Sequence, residues 1–262
     1  MAIIESSQNN IIKNIAALSQ RKEREKQGLF LAEGLRFVNE IPPHWEIYMY
    51  VLSESFAEKN NNVNLRKDVK TVIVNDKLFN SISDTQTPQG IIAICYQKTY
   101  NISELLKGEN PFLLLTEQVQ DPGNLGTIIR TADAAGVNGI ILSKGTVDLY
   151  NPKVLRATMG SIFHVPIIQN ADIFDTLSIL KENKILTLSA HLKGDKTPYS
   201  LNLKQPTAII IGNEGNGISD EVSQKTSYLV KLPMLGKAES LNASIAAGIL
   251  LYEVVRQRTC HI

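Results

Sequence analysis

Three short polar segments contain the residue types that could do chemistry in this chain. The first spans residues 116–130, where an Asp-Pro-Gly-Asn turn precedes Leu-Gly-Thr-Ile-Ile-Arg. Asn124 is a good capping residue, so the sequence predicts a helix that begins near it. Arg130 comes less than two turns later and faces another direction, at roughly 100° per residue. A guanidinium in a helix of small residues needs a partner, which is either a functional anion or simply Asp121 or Asp133.

The second segment, residues 211–218, reads Ile-Gly-Asn-Glu-Gly-Asn-Gly-Ile. It follows an apolar run and offers free backbone N–H groups without side-chain bulk, which suits the close approach of a nucleoside. The dinucleotide fingerprint G-x-G-x-x-G does not occur here, and the chain contains no phosphate loop of the G-x-x-x-x-G-K-[ST] type. The alternative is a structural strand-to-helix turn in which Glu214 is merely exposed.

The third segment, residues 232–253, begins Leu-Pro-Met and continues through Ser240-Leu-Asn242 into Ala-Ser-Ile-Ala-Ala-Gly. Ser240 or Asn242 is expected to cap a helix rich in alanine, glycine and leucine. Taken alone, the segment is typical of a packing helix whose small residues allow a tight helix crossing.

Metal and nucleophile chemistry are not indicated. The four histidines are scattered, and none has a cysteine or histidine at metal-ligand spacing, so no metal site is expected. Cys95 and Cys260 cannot build a disulfide framework or a zinc cluster, which favours a reducing, cytosolic setting. Cys95 ends an apolar run and is predicted to be a small core residue rather than a nucleophile.

The elements that must position these segments are strands and helices in alternation. Continuous apolar runs, rather than alternating ones, are typical of strands buried on both faces of a parallel sheet. They occur at residues 112–116, 139–142, 185–188, 208–211 and 229–232, with helical spacing at 125–135 and 241–258. The pattern predicts a doubly wound α/β domain with ligands at the carboxyl ends of its strands.

The first part of the chain contains mixed short elements and predicts a smaller α+β or α/β domain. A boundary is expected within residues 97–111, which gives domains at 1–104 and 105–262. Residues 54–70 are polar and predict a loop or a weak element. The expected elements are a helix at 10–24, a helix at 34–40, and strands at 30–32, 47–52, 70–74 and 91–96.

The composition describes a folded protein with nearly balanced charge. The 262 residues include 27 Lys+Arg and 26 Asp+Glu, and 43% are hydrophobic, which argues against disorder. A net charge of +1 excludes a protein that wraps nucleic acid by global charge. A local patch at residues 21–26 could contact nucleic acid, unless it is a solvated helix face. No signal-like stretch or membrane-spanning run of ~18 apolar residues is visible, so a cytoplasmic protein is expected.

Taken together, the three segments resemble the three motifs of the SpoU/TrmH family of RNA ribose 2′-O-methyltransferases, in the same order. The resemblance covers about residues 111–258, and its third motif is highly specific. Residues 25–36, which read Glu-Lys-Gln-Gly-Leu-Phe-Leu-Ala-Glu-Gly-Leu-Arg, look like part of the small substrate-binding domain found ahead of many such enzymes.

The resemblance implies a C-terminal α/β domain with a deep trefoil knot, an exception to the rule that chains do not thread their own loops. S-adenosylmethionine would bind in that knot, held largely by backbone groups. The cofactor residues that the resemblance implies are Gly212, Leu232 and Leu241, with Ile211, Asn213 and Met234 as neighbours and Ser189 and Ala190 flanking the adenine region. The family is dimeric through this domain, so a homodimer is expected.

The resemblance also assigns the chemistry. Arg130 would be the catalytic arginine acting on the ribose 2′-hydroxyl, and the site would be completed by Asn124, Glu214, Ser240 and Asn242. A guanidinium stays protonated under ordinary conditions, so a role as general base needs a strong perturbation. Our hypothesis is that Arg130 binds the RNA phosphate and the developing alkoxide.

Structured RNA is the expected substrate, and ribosomal RNA is preferred over transfer RNA because an extra N-terminal domain is commoner among the family's ribosomal RNA enzymes. The expected RNA contacts are Arg21, Lys22, Arg24, Lys26, Arg36 and Arg156. Two alternatives stay open at this point. One is a non-catalytic RNA-binding assembly factor on the same scaffold, and the other is an ordinary nucleotide-binding α/β enzyme, which the missing fingerprints disfavour.

Overall fold

The computed structural model describes residues 3–60 and 65–259, so Cys260 lies outside the described residues. The described chain forms two compact units. The first contains the residues up to Lys98 together with Tyr150–Arg156, and the second contains Thr99–Leu149 and the residues from Ala157 onward. The division after Lys98 lies within the expected boundary region of residues 97–111 and a few residues before position 104. The return of Tyr150–Arg156 to the first unit had no signal in the sequence.

The first unit is built on a five-stranded mixed sheet in the order β1-β4-β3-β5-β2. Strand β4 pairs with β1 and β3 in parallel, whereas β5 pairs with β2 and β3 antiparallel. The strands are β1 Ile3–Ile4, β2 Leu29–Glu33, β3 Ile47–Ser53, β4 Thr71–Val74 and β5 Ile91–Tyr96.

The helices of this unit differ from the sequence expectation in two places. The expected helix at 10–24 is two helices, because α1 is capped at Leu18 and α2 begins only at Arg21. The polar stretch from residue 54 begins with a helix. Ser53 is the N-cap of this helix, and Phe56 within it is buried. The helices are α1 Asn10–Ala17, α2 Arg21–Gln27, α3 Leu35–Asn39, α4 Glu54–Lys59 and α5 Asp76–Ile82.

The second unit holds a six-stranded sheet in which every pairing is parallel, in the order β11-β9-β10-β6-β7-β8. The strands are β6 Phe112–Thr116, β7 Gly139–Ser143, β8 Ile167–Ala171, β9 Leu186–Ala190, β10 Thr207–Ile211 and β11 Tyr228–Val230. The later helices are α6 Ile102–Leu105, α7 Pro122–Ala134, α8 Pro152–Thr158, α9 Ile173–Glu182, α10 Asp220–Ser223 and α11 Ala243–Thr259, with short 3-10 turns at Ser161–Phe163 and Pro198–Ser200.

The central strands are fully buried, as their continuous apolar runs predicted. Every residue of β6, β7 and β10 is buried, and the α/β class expected for this part of the chain is confirmed. Strand β8 was not predicted. It reads Ile-Ile-Gln-Asn-Ala, lies at the edge of the sheet and is only partly buried, so it carries no apolar run. In the described part of the chain, no helix combines the length and apolar character needed to cross a bilayer.

Candidate active site

The three polar segments meet at one edge of the parallel sheet. Strand β6 pairs with β10 in a register that sets Thr116 beside Ile211, and Glu117 N–H donates to the Ile211 carbonyl at 2.8 Å. The first and second segments therefore leave adjacent strands at the same end. The third segment follows β11 and reaches this edge at residue 242. The rule that ligands bind at the carboxyl ends of parallel strands accounts for this meeting.

A chain of hydrogen bonds joins one side chain from each segment. Asn242 Nδ2 donates to Asn124 Oδ1 at 2.8 Å, and Asn124 Nδ2 donates to Glu214 Oε1 at 3.0 Å. These three residues lie far apart in sequence, and each was expected in the site. The structure therefore brings Asn124, Glu214 and Asn242 together.

Glu214 is the anionic end of this chain. Its carboxylate also accepts the backbone N–H groups of Gln120 at 3.1 Å and Asp121 at 3.0 Å. Burial alone would raise the pKa of the Glu214 carboxyl, but the hydrogen bonds from Asn124 and the backbone N–H groups outweigh it and hold the pKa below its ordinary value. Glu214 is therefore ionised at neutral pH and fixes the loop before α7. Glu214 is exposed, as the alternative of a structural turn expected, but its carboxylate accepts hydrogen bonds from Gln120, Asp121 and Asn124.

Helix α7 begins earlier than expected. Asp121 is its N-cap and accepts Asn124 N–H at 2.7 Å through Oδ1, and Pro122 occupies the first helical position. Proline suits that position because its missing N–H would be unpaired there anyway. Since Asp121 performs the capping, the Asn124 side chain is free to bridge Glu214 and Asn242.

Arg130 is exposed on α7, and neither of its expected local partners is available. Asp133 contacts His164 Nδ1 at 3.1 Å, and Asp121 caps the helix. Among the described residues, Arg130 has no hydrogen-bond or ion-pair partner. The guanidinium is therefore free to meet an anion supplied by a ligand.

Helix α11 begins at Ala243, and Asn242 rather than Ser240 supports its first turn. Asn242 Oδ1 accepts the backbone N–H of Ser244 at 2.9 Å and the Ser244 hydroxyl at 2.6 Å. The Asn242 carbonyl accepts Ala246 N–H at 2.9 Å, the first bond of the helix. Asn242 thus has two tasks, because its oxygen caps α11 while its nitrogen holds Asn124.

A cavity of about 400 Å³ lies beside this hydrogen-bond chain. The expected residues that line it are Ala190, Ile211, Gly212, Asn213, Glu214, Leu232, Met234, Ser240 and Leu241. Lining residues that sequence reasoning missed include His191, Leu192, Lys193, Val230 and Ala246. Most of these missed residues lie at the ends of β9 and β11, so the strand-end rule could have found them.

Ser189 is a correction to the expected cofactor residues. Its side chain is completely buried inside β9, and Ser189 is not among the described residues that line the cavity, whereas Ala190 is. Strand geometry explains this, because neighbouring side chains point to opposite faces and Ala190 takes the exposed direction.

The glycine-rich loop owes its shape to Gly212 and Asn213. A Cβ atom on Gly212 would lie 2.3 Å from the Gly217 carbonyl carbon, so only glycine allows this approach of the two strands of the loop. Asn213 Oδ1 accepts the N–H groups of Gly215 and Asn216, and its Nδ2 donates to the Gln118 carbonyl at 2.8 Å. The loop is therefore fixed before any ligand arrives.

Two further residues support the same edge and were missed. Glu117 is buried, and its Oε2 accepts Ser219 N–H at 3.0 Å. Gln118 adopts a positive φ of 53° and donates its N–H to Ser143 Oγ at 2.9 Å. Both residues follow β6 directly, so the rule that sites lie at strand ends could have identified them.

The expected RNA contacts of the first unit divide into available and unavailable groups. Arg24 is a correction, because it is buried and Nη1 donates to the carbonyls of Leu18 at 2.7 Å and Ser19 at 2.8 Å. It therefore closes the turn between α1 and α2. Lys22, Lys26 and Arg36 are exposed. Arg21 and Arg156 are exposed as well, although Arg21 pairs with Glu25 and Arg156 pairs with Asp84.

Comparisons with known proteins agree with this geometry. Residues 111–252 match the SpoU rRNA Methylase family, and residues 9–93 match an MRM3-like substrate binding domain. The chain is 34% identical to the 23S rRNA (guanosine(2553)-2′-O)-methyltransferase RlmP of Bacillus subtilis, over 97% of this chain and 99% of that protein.

Two solved methyltransferase structures are also similar to this chain over nearly its whole length. The AdoMet-bound rRNA methyltransferase from Sinorhizobium meliloti is similar with a TM-score of 0.87 and 32% identity, over 99% of this chain and 98% of that one. The SpoU methyltransferase AviRb from Streptomyces viridochromogenes, in complex with the cofactor AdoMet, is similar with a TM-score of 0.87 and 27% identity, over 96% and 98% of the two chains.

Proposed function

Since the chain belongs to the SpoU rRNA methylase family, we infer that it transfers the methyl group of S-adenosylmethionine to a ribose 2′-hydroxyl of ribosomal RNA. The observation that carries this inference is the hydrogen-bonded chain Asn242–Asn124–Glu214 beside the cavity, since it assembles all three motifs of the family at one edge of the sheet. The Bacillus and Streptomyces relatives are named for nucleotides of 23S rRNA, which supports 23S rRNA as the substrate here.

The cavity fits S-adenosylmethionine by its shape and its chemistry. Its volume of about 400 Å³ lies in the range of small-molecule sites, ~300–1,000 Å³. Residues 212–217 border the cavity with small and polar groups, while Ile218, Val230 and Leu232 supply apolar walls. Family membership further implies that the cavity belongs to a trefoil knot, in which the segment before α11 threads the loop after β10.

The residues of this chain align the reactants rather than react with them. S-adenosylmethionine, when bound, supplies a methyl group already activated by its sulfonium. Glu214, Asn124 and Asn242 hold the three loops in one fixed arrangement, which gives a proximity effect. Arg130 binds the RNA phosphate and the charge that develops on the 2′-oxygen, a role that is supported by the lack of a partner for its side chain among the described residues.

The test is transfer of tritium-labelled methyl groups from S-adenosylmethionine to an unmodified in vitro transcript of Bacillus subtilis 23S rRNA, followed by mapping of 2′-O-methyl sites. The expected result is stoichiometric labelling at one ribose by the wild-type protein and labelling about a hundredfold slower or less by Arg130→Ala. Labelling of a base, or cofactor binding without transfer to any ribosomal or transfer RNA, would contradict the proposal and favour the RNA-binding assembly factor.

We further propose a homodimer formed through the second unit. Helix α11 carries Ile245, Ile249 and Tyr252 at helical spacing, and they are 53%, 36% and 50% exposed. An apolar stripe of this kind marks an interaction site, and a two-fold dimer needs only one such self-complementary patch. With ribosomal RNA as substrate, a cytoplasmic location follows. We retain 1–104 as the RNA-binding part and 105–262 as the catalytic part.

A further inference from the structure

Two tyrosines of the first unit form an exposed aromatic pair. The rings of Tyr48 on β3 and Tyr96 on β5 meet edge to face, with centroids 6.1 Å apart and planes at 90°. Tyr48 is 48% exposed and Tyr96 is 39% exposed, although both belong to strands that are otherwise almost wholly buried. Such exposure of paired large rings calls for an explanation.

The backbone turns Tyr48 outward. The pairing of β3 with β5 shifts register between Ile47 and Met49, so Tyr48 is the bulged residue of this ladder. Bulges of this kind re-aim a side chain and are common beside functional sites. Every other residue of β3 is buried, including its two neighbours. The local irregularity therefore has the specific effect of presenting one aromatic ring.

The supports of the pair are rigid and carry a positive charge. Trp45 is buried, and its Nε1 donates to the Tyr96 carbonyl at 2.9 Å. The Lys98 ammonium lies 4.3 Å from the centroid of the Trp45 ring, and Lys98 N–H donates to the Tyr150 hydroxyl at 3.4 Å. The backbone of Tyr96 is thus anchored by a buried tryptophan, and that tryptophan carries the Lys98 ammonium on its ring face.

We propose that Tyr48 and Tyr96 form a stacking platform for an unpaired base of the RNA substrate. The proposal rests on the function proposed above and adds a recognition surface to it. Proteins that recognise single-stranded RNA stack its bases on aromatic side chains displayed by a sheet, and a nearby cation accompanies the backbone. Here Tyr48 and Tyr96 supply the rings, and Lys98 supplies the cation.

The chemistry of the surface favours a base over a phosphate. A phosphate site needs several convergent cations, whereas this surface offers Lys98 and also the exposed Glu46, whose carbonyl accepts Tyr96 N–H at 3.1 Å. A base needs a flat, apolar ring face and tolerates a nearly neutral surrounding. Stacking also tolerates any base, so this platform contributes affinity more than sequence specificity.

The kinetic test uses the full-length protein and the 23S rRNA transcript. Tyr48→Ala and Tyr96→Ala are each expected to raise the KM for RNA by about fivefold or more, in line with the loss of one stacked base, while kcat changes less than about twofold. The affinity for S-adenosylmethionine and the melting temperature are measured on the same samples. Unchanged KM values in both variants would overturn the platform and leave the methyltransferase intact.

Replacement series at Tyr48 separate stacking from simple apolar contact. Tyr48→Phe retains the ring and is expected to keep the wild-type KM, whereas Tyr48→Leu retains only apolar volume and is expected to behave as Tyr48→Ala. Equal rescue by Phe and Leu would overturn base stacking and favour an apolar protein contact. Tyr199→Ala is the matched control, because Tyr199 is 53% exposed in the second unit and lies outside the pair.

A second readout scores RNA binding without methyl transfer. Trp45 is the only tryptophan of the chain, and it bonds directly to Tyr96, so its fluorescence reports on this surface. A single-stranded twelve-residue oligoadenylate is expected to change the Trp45 emission of the wild type and of Tyr48→Phe. A blunt RNA duplex of equal length is expected to leave that emission unchanged. If the protein methylated no RNA yet gave this Tyr48-dependent change, the proposed function would fail and the platform would stand. Equal responses to the duplex and the single strand would overturn the platform.

Discussion

Asn242 Nδ2 donates to Asn124 Oδ1 at 2.8 Å across 118 positions of sequence. Asn124 in turn donates to Glu214, so one amide pair ties the start of α11 to the first turn of α7 and, through Asn124, to the loop after β10. The arrangement makes the site a single unit. A change at any of the three residues is therefore expected to disturb the others, and their effects should not add.

The two tasks of Asn242 can be separated by substitution. Asn242→Asp keeps the oxygen that caps α11 but loses the N–H that reaches Asn124, so it is expected to lower methyl transfer at least tenfold and to leave the melting temperature nearly unchanged. Asn242→Ala also loses the cap and should cost about 0.5–2 kcal/mol in unfolding free energy. Single-turnover rates and denaturant unfolding measure the two effects. A fully active Asn242→Asp variant would show that the bridge is dispensable.

Arg130 is expected to affect rate without affecting stability. Because it is exposed and has no partner among the described residues, Arg130→Ala should change the unfolding free energy by less than ~0.5 kcal/mol. Loss of a charge-stabilising donor should lower kcat by roughly 10²–10³-fold. Arg130→Lys tests the form of the contact, since lysine keeps the charge but not the planar fork. Near-wild-type activity of that variant would mean that charge alone suffices.

The lowered pKa of the Glu214 carboxyl predicts that the stability of the protein depends on pH. Burial raises the pKa of its carboxyl, but the hydrogen bonds from Asn124 and the N–H groups of Gln120 and Asp121 pull the pKa below the ordinary value of 4.5. Its contribution to stability is thus fully present above pH 4.5 and is lost as pH falls through the lowered pKa of the folded state. Thermal unfolding of wild type and Glu214→Gln between neutral and acidic pH measures this. The gap between the two should narrow on acidification, and a constant gap would refute the assignment.

The meeting of the three polar segments could be predicted because it follows from one rule, that parallel strands end at the same edge. The runs at 112–116 and 208–211 placed the segments of Asn124 and Glu214 at the same edge of the sheet, but the order of the strands, and with it the pairing of β6 with β10, was not predicted. The start of α7 was misplaced because Asn124 and Asp121 are both good caps, and only the Asp-Pro pairing distinguishes them. The Asp-Pro pair in the sequence therefore indicates where α7 begins.

Other features depend on contacts that no local pattern encodes. Arg24 is one of several basic residues in a helix, and only the turn between α1 and α2 folds its guanidinium back onto the carbonyls of Leu18 and Ser19. The same holds for Ser189, whose burial depends on strand parity at the end of β9. The bulge at Tyr48 likewise exists only in the pairing of β3 with β5.

The proposed dimer predicts a change of mass on disruption of the α11 stripe. Ile249→Asp introduces a charge between Ile245 and Tyr252 and is expected to convert a dimer to a monomer in light scattering after size-exclusion chromatography. Phe174→Asp, at a 39% exposed ring on α9, is the control that should remain dimeric. A monomeric wild type would reject the dimer. A dimer that survives Ile249→Asp would assign the contact to another surface.

Gly212 and Gly215 lie three positions apart in one loop. Alanine substitutions at the two positions are expected to affect S-adenosylmethionine binding differently. A Cβ atom on Gly212 would lie 2.3 Å from the Gly217 carbonyl carbon, whereas a Cβ on Gly215 would meet nothing nearer than Asn213 Oδ1 at 3.5 Å. Gly212→Ala must therefore open the loop and should weaken S-adenosylmethionine binding at least tenfold in calorimetric titration. Gly215→Ala should bind nearly as wild type, because its contact is an ordinary one. A wild-type affinity in both variants would mean that the shape of this loop does not govern the cofactor cavity. An equal loss of affinity in both variants would mean that the loop contacts the cofactor along its whole length.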